Sequence, residues 1–379
     1  MRHLVLAILL SSFMMACGPT DTTDEGAFVT MLGNDTLAVE QFVKTDSAIT
    51  SRVILRSPEV QISTYILHFD EQGGVESMVQ TAHSPVNGFS EDGVTVRSIM
   101  KEGDSLGVRI LRDEEYITYR APFEDRVLPF IDMVHWPYEL AFNKAAEADQ
   151  DTIIQPFLSG NRILDFTIAQ IDEDSMTIRH PFRGVMGVQV DSDGDIEHLD
   201  ASLTTRKLKV YRTDALDMDA LANRFGNRPV GELSGAVSAK FSINGTDFTV
   251  EFGSPQKRGR ELFGGIVPYG EVWRTGANRA THFSTSSDLR FGDLEVPAGE
   301  YTLFSIPEAD GGTLIINNET GQNGNSYDES QDLGRVLMEV STKDEVTEVF
   351  TITVDETDEG GRINLIWGDT IYSSDFVIE

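Results

Sequence analysis

The sequence contains almost no cysteine and little lysine. Cys17 is the only cysteine in 379 residues, so a framework of disulfide bonds is excluded. Only eight of the 30 basic residues are lysines, and 62 acidic residues bring the net charge to −32. Because a chain this acidic repels nucleic acid and anionic lipid, we expect no nucleic-acid partner.

Signals for catalysis and for metal binding are also scarce. The sequence has no H-E-x-x-H zinc motif, and the histidines do not pair at the spacing of metal ligands. We expect no serine nucleophile on a G-x-S-x-G elbow, and neither a metal nor another cofactor. The sequence therefore favours a protein that is not an enzyme.

The first seventeen residues predict an export signal. Arg2 supplies a positive start, and residues 4–15 form an uncharged apolar run that is too short to span a bilayer as a helix, which takes about 20 residues. The following Met14-Met15-Ala16-Cys17-Gly18 resembles the bacterial lipobox. This resemblance implies lipid attachment at Cys17 and cleavage just before it. An ordinary signal peptide with an incidental cysteine is the alternative.

A lipid on Cys17 would make a membrane the first partner of the chain. Residues 18–26 are small, polar and acidic, which predicts a disordered tether. Gly18, rather than Asp, follows the cysteine, so an inner-membrane retention signal is not indicated. We therefore expect a lipid-anchored protein of the cell envelope, on the outer membrane, facing the periplasm or the surface.

The remaining sequence predicts two β-rich domains. Residues 27–212 alternate apolar and polar positions between acidic or glycine turns, which indicates a curved antiparallel sheet or open barrel, with a helix near 137–147. One of these turns, residues 191–195 (DSDGD), has a weak calcium site as its alternative. Residues 213–230 predict a helix and a linker.

Residues 231–379 predict a β-sandwich or jelly roll. Asn244-Gly245 lies between two apolar runs and predicts a two-residue hairpin turn. Residues 346–354 and 362–367 indicate two later, short strands.

A series of dense motifs runs through this second domain. They are residues 252–255 (FGSP), 257–260 (KRGR), 263–270 (FGGIVPYG), 272–278 (VWRTGAN) and 296–303 (VPAGEYTL). In these motifs the domain resembles the family called domain of unknown function 2911, over about a third of the chain. The resemblance implies a shared fold and no known activity. Asn323 departs from the family pattern, which often has an aromatic residue after Gly321-Gln322.

The same motifs supply candidate ligand-binding residues. Trp273 offers a flat apolar face, Arg274 a planar fork for a carboxylate, phosphate or sugar, and Asn278 both a donor and an acceptor. Carbohydrate and anionic small-molecule sites use this combination. The alternative is that Trp273 belongs to the core and Arg274 satisfies buried groups. The full candidate set is Arg258, Arg260, Tyr269, Trp273, Arg274, Asn278 and His282.

Three functional hypotheses follow. The first is a non-enzymatic envelope lipoprotein that binds a small polar ligand or glycan through the C-terminal domain. The second is an envelope hydrolase that uses carboxylates or His282. The third is a carrier of lipid or another apolar ligand in the N-terminal sheet, lined by Ile66, Leu67, Phe69, Phe130, Trp136 and Phe142.

Overall fold

The computed structural model describes residues 23–90, 92–124, 126–148 and 150–379. This part of the chain forms two large β-sheets and two α-helices, and neither sheet closes into a barrel. The mostly β fold class predicted from the sequence is confirmed. Neither helix of this part is long and apolar enough to cross a bilayer. Cys17 and the expected export signal lie outside the described residues.

The N-terminal sheet is an antiparallel meander. Strands β1 to β8 lie side by side in chain order, and β15 back to β10 continue from the other edge of β1. The short strand β9 forms the edge of the sheet beyond β10, with which it pairs in parallel. The strands are β1 (Asp24–Leu32), β2 (Asp35–Lys44), β3 (Ala48–Leu55), β4 (Gln61–Phe69), β5 (Val75–His83), β6 (Val94–Glu102), β7 (Ser105–Arg112), β8 (Glu115–Pro122), β9 (Leu128–Pro129), β10 (Thr152–Ser159), β11 (Arg162–Asp172), β12 (Ser175–His180), β13 (Gly184–Val190), β14 (Ile196–Asp200) and β15 (Lys209–Arg212).

Helix α1 (Trp136–Ala146) packs against the inner face of this sheet. It begins one residue before Pro137, which occupies the first turn, where its missing N–H costs no hydrogen bond. Trp136 and Phe142 are fully buried in the core that both halves of the sheet share. The helix therefore joins the two halves.

Two buried glutamates fix the start of α1. Oε1 of Glu40 on β2 accepts a hydrogen bond from the backbone N–H of His135, at 2.7 Å. On the helix, Glu139 accepts from the backbone N–H of Ile196, at 2.9 Å, and from the guanidinium of Arg212. Burial raises the pKa of Glu139 to about 7, although Arg212 opposes this shift.

This pKa predicts how stability depends on pH. The folded protein keeps the Glu139 proton to a higher pH than the unfolded chain, in which the group titrates near 4.5. The free energy of unfolding should therefore fall as the pH rises from about 4.5 to about 7. The Glu139→Gln substitution should reduce this fall by up to about 3 kcal/mol, as measured by urea denaturation at several pH values. Glu147→Gln, at the exposed end of the same helix, is the control. Identical pH profiles for both variants would contradict the prediction.

Helix α2 (Met218–Phe225) covers the outer face of the N-terminal sheet. Met218, Ala222 and Phe225 pack on Val39 and Ile54 of β2 and β3. The helix lies within the segment 213–230, where the sequence predicts a helix and a linker, and begins at Met218. Its cap is Asp217, whose carboxylate accepts a hydrogen bond from the N–H of Ala220, at 2.9 Å.

The C-terminal sheet has its strands in the order β16-β17-β18-β21-β22-β23-β24-β19-β20, and all neighbours in this order are antiparallel. The Asn244-Gly245 hairpin is confirmed between the first two strands. A single 3-10 turn (Glu329–Gln331) precedes β23 in the described residues. The strands are β16 (Ser234–Ile243), β17 (Thr246–Pro255), β18 (Ala277–Thr285), β19 (Leu289–Phe291), β20 (Leu294–Val296), β21 (Gly299–Glu308), β22 (Gly311–Asn317), β23 (Asp332–Glu356) and β24 (Gly360–Ile378).

This sheet folds over on itself around one core. The rings of Phe248 on β17 and Phe376 on β24 lie 5.5 Å apart, although several strands separate them in the sheet order. Phe252 and Phe350 make a second such contact at 5.7 Å. The domain is therefore a sandwich of two layers, connected by the long strands β23 and β24.

A turn of the N-terminal domain docks on the C-terminal domain. The side chain of Arg258 is 4% exposed, and its guanidinium lies 2.5 Å from the carboxylate of Asp35. The backbone carbonyl of Arg258 accepts a hydrogen bond from the N–H of Asn34, at 2.9 Å. Gly33 has φ +58°, and a Cβ there would stand 1.9 Å from the Arg258 carbonyl oxygen. Only glycine allows the two backbones to approach this closely.

The Arg258→Met substitution should therefore destabilise the protein by about 1–3 kcal/mol, since it removes the buried guanidinium that donates to Asp35 and to the carbonyls of Val230 and Glu232. Chemical denaturation of the full chain measures this effect. The matched control is Arg362→Met, which removes an exposed ion pair with Asp375 and should cost under about 1 kcal/mol. Equal losses in the two variants would refute a special role for the domain contact.

Candidate functional site

An open cleft of about 1010 Å³ lies between the two domains. One wall is formed by Asp132, Arg183 and residues 203–207 of the N-terminal domain. The other wall is formed by Arg260 and residues 266–268, 271–274 and 276–278 of the C-terminal domain. We call this space the interdomain cleft. Its size suits a small or medium-sized organic molecule.

Two of the five cations of the cleft share one carboxylate. Arg183 and Arg206 both make ion pairs with Asp132, the first at 2.7 Å. These charges are already compensated in part, because each oxygen of Asp132 faces one guanidinium.

The other three cations, Lys207, Arg260 and Arg274, have no such partner. Within the described ranges, no carboxylate lies within ion-pair distance of any of them. The acids Glu232 and Glu271 also line the cleft, but as exposed residues. In a chain with a net charge of −32, three cations without partners in one cleft are unexpected.

The lowered pKa values of these three cations reflect the free-energy cost of keeping them charged in the cleft. Burial lowers the pKa of Lys207, and the neighbouring charges of Arg274 and Arg260 lower it further. Burial also lowers the pKa of Arg260 to about 10, with a smaller contribution from Arg258, and the more distant carboxylates of Glu348 and Asp35 oppose this shift only in part. For Arg274, burial alone lowers the pKa. An anion among these groups would relieve each of these costs.

Neutral oxygens hold the two arginines in place. Nη2 of Arg274 donates to Oδ1 of Asn325, at 2.6 Å, and Nη1 donates to the carbonyl of Asn278, at 3.3 Å. Arg260 donates to the carbonyls of Lys257 and Gln256. These bonds position the guanidinium groups without neutralising them.

The backbone around the cleft is strained. Met133 (φ +62°), Lys207 (+56°), Thr275 (+53°) and Asn278 (+65°) are non-glycine residues in the left-handed region, where such residues cost about 1–3 kcal/mol each. Met133, Lys207 and Asn278 line the cleft directly. Strain of this kind concentrates at functional sites, which agrees with the unpaired charges.

Trp273 belongs mainly to the core. Its ring stacks on Trp367, with centroids 6.1 Å apart and planes 9° apart, and meets Phe350 and Phe263 edge-on. Its backbone exchanges two hydrogen bonds with Ser305. The side chain is half-buried and lines the cleft, but its contacts with three core rings leave less of the indole for a sugar than an exposed aromatic residue would offer.

The structure divides the candidate residues predicted from the sequence into two groups. Arg260, Trp273, Arg274 and Asn278 line the interdomain cleft. Arg258 is buried at the domain contact, Tyr269 lies over Gly264 on the surface, and His282 lies on β18 outside the cleft lining.

Sequence reasoning missed the contribution of the N-terminal domain. Lys207 and the group formed by Asp132, Arg183 and Arg206 were not among the candidates. The adjacent bases Arg206-Lys207, in so acidic a chain, are the signal that could have identified this wall.

His282 holds the loop that supports Arg274. Its Nε2 accepts a hydrogen bond from the backbone N–H of Gly321, at 2.7 Å. The same loop carries Asn325, and Gly324 packs so closely that a Cβ there would lie 2.3 Å from Cδ of Arg274. The contacts of His282 are therefore structural.

Replacing His282 by Ala should loosen this loop. The loss of one hydrogen bond, about 1 kcal/mol, predicts roughly fivefold faster hydrogen exchange at Gly321 and its neighbours. His282→Gln, whose amide oxygen can accept the same bond, should largely restore the slow exchange. If both variants exchange at the wild-type rate, the bond does not hold the loop.

Features associated with catalysis or metals have structural explanations. Residues 103–107 (GDSLG) do have the G-x-S-x-G spacing, contrary to our expectation, but they form the β6–β7 hairpin turn, where Ser105 donates to the carbonyl of Glu102. An elbow nucleophile would require a strand-to-helix turn. In residues 191–195, Asp191 accepts from the N–H groups of Asp193 and Asp195. The described residues contain no group of three or more potential metal ligands.

Comparison with known proteins agrees with the predicted family. Residues 234–376 match the family model described as "Protein of unknown function (DUF2911)", so the resemblance of the C-terminal domain is confirmed. No curated protein matches the chain.

Two solved structures are distantly similar. One is a β-barrel-like protein of domain of unknown function DUF1849 from Brucella abortus, with 11% identity over 52% of this chain and 98% of that one, and a TM-score of 0.33. The other is MucB in complex with MucA(peri), with 9% identity over 94% of this chain and 88% of that one, and a TM-score of 0.14.

Proposed function

We propose that the protein is a non-enzymatic, lipid-anchored component of the bacterial cell envelope that binds a small anionic ligand in the interdomain cleft. The observation that supports this proposal is the convergence of Lys207, Arg260 and Arg274, which have no carboxylate partner. Partial burial of charges that no ion pair neutralises is costly, and an anionic ligand would offset that cost. The apparent lipobox at Cys17 supports the envelope location.

The cleft favours an anion over a neutral glycan. Sugar sites usually pair polar groups with an exposed aromatic face, and Trp273 is committed to its stack on Trp367. The guanidinium of Arg274, held by Asn325, remains available on the cleft side. A carboxylate or phosphate matches this donor geometry.

The two other hypotheses have less support. His282, the base suggested for a hydrolase, accepts from Gly321 and lies outside the cleft lining. For the carrier, Leu67 is fully buried whereas its neighbour Ile66 is 39% exposed on the opposite face. One hollow could not be lined by both, and Trp136 and Phe142 are fully buried in the core.

Isothermal titration calorimetry of the full chain at low ionic strength tests the proposal. Inorganic phosphate and succinate should bind, whereas glucose should not. Arg274→Met should weaken anion binding about 10-fold or more, since a hydrogen bond to a charged group contributes about 1.5–3 kcal/mol.

The control is Arg362→Met, which removes a surface arginine paired with Asp375 and should leave binding unchanged. The proposal fails if neither anion binds, if glucose binds as tightly as the anions, or if Arg274→Met has no effect.

A further inference from the structure

The cations of the cleft belong to two different domains. Lys207 lies in the segment between β14 and β15, whereas Arg260 and Arg274 lie in the C-terminal domain. All three line the interdomain cleft, so like charges stand on both of its walls; in agreement, burial lowers the pKa of Lys207 and the charges of Arg274 and Arg260 lower it further. With no ligand present, these charges repel one another and oppose the docking of the two domains.

The direct bonds between the domains lie elsewhere. Asn34 and Asp35 bond Arg258, and Arg56 and Ser57 bond residues 228–231, at the end of the linker and the start of the C-terminal domain. Among the described residues, no hydrogen bond or ion pair links the segment 203–207 to the C-terminal domain. No hydrogen bond or ion pair therefore connects the segment 203–207 to the opposite wall of the cleft.

We propose that the ligand carries two negative charges, as a phosphate group or as a pair of carboxylates, and locks the domains together by bridging Lys207 to Arg260 and Arg274. This inference rests on the proposed function and adds the ligand class and its structural effect. A monoanion would leave two of the three charges uncompensated, whereas a dianion leaves one. Binding converts a repulsive boundary into an attractive one.

The proposal predicts that one substitution stabilises the protein without an anion but weakens the stabilisation that an anion gives. Without an anion, Lys207→Met removes repulsion and should raise the unfolding midpoint of the full chain. With inorganic phosphate, the same variant should lose at least half of the stabilisation that phosphate gives the wild type. Lysine already occupies the left-handed backbone at this position, and methionine, also a non-glycine residue, introduces no new backbone strain.

The experiment compares wild type, Lys207→Met and Lys240→Met by thermal unfolding at constant ionic strength, with sodium chloride replaced stepwise by phosphate, succinate or acetate. Lys240 is an exposed lysine of β16 and serves as the matched control. Calorimetry on the same proteins should show Kd for phosphate or succinate at least 10-fold higher in Lys207→Met and unchanged in Lys240→Met. Acetate should bind wild type at least 10-fold more weakly than the dianions. Phosphate binding in preference to succinate would identify a phosphate group, and the reverse a dicarboxylate.

The outcomes separate this inference from the proposed function. If phosphate or succinate binds wild type and Lys207→Met equally, the ligand lies on the C-terminal wall alone and the lock is refuted, while the proposed function stands. If acetate binds as tightly as the dianions, the ligand class is wrong. If no anion binds any of the proteins, both proposals fail.

Discussion

The contact between Arg258 and the turn at Gly33-Asn34-Asp35, together with the bonds of the linker to Arg56 and Ser57, holds the two domains against each other at the interdomain cleft. Hydrophobic burial stabilises each sheet separately, but it does not set how one sheet stands against the other. Beside the linker bonds, that relation depends on a buried guanidinium, one carboxylate and a backbone approach that only glycine permits. A directional contact of this kind fixes orientation more strictly than apolar packing would. The position of Lys207 relative to the arginine wall follows from it.

Much of the fold could be predicted because its signals are local. Alternation of apolar and polar residues identifies half-buried strands, and Asn244-Gly245 has the backbone freedom that a two-residue hairpin needs. The lengths of β23 and β24 could not be predicted in this way. The sequence indicates short strands at 346–354 and 362–367, whereas β23 runs through Asp332–Glu356 and β24 through Gly360–Ile378. Hydrogen bonding to neighbouring strands extends both strands through polar and glycine residues. These neighbouring strands come from distant parts of the chain, so a local sequence pattern does not reveal the extension.

Only the C-terminal wall of the cleft could be predicted from the sequence, for a related reason. Residues 257–260 and 272–278 form dense motifs, so they attract attention to the C-terminal wall. Lys207 has no motif around it. It lies opposite the arginines only because the two domains dock through other residues, among them Arg258 and Asp35. Trp273 shows the opposite limit: its sequence context resembles a binding platform, but its neighbours in space, Trp367 and Phe350, make it part of the core. Residue types indicate which chemical groups are present, whereas tertiary structure determines which of these groups come together.

The family match begins at residue 234 and ends at residue 376, so it contains Arg260 and Arg274 but excludes Lys207. The boundary of the recognisable module thus passes through the middle of the cleft. A domain of this kind joined to a different neighbour would keep the arginine wall and lose the opposing lysine. Recognition by such modules would then be a property of the pairing of domains, and two proteins with nearly identical C-terminal halves could select different ligands.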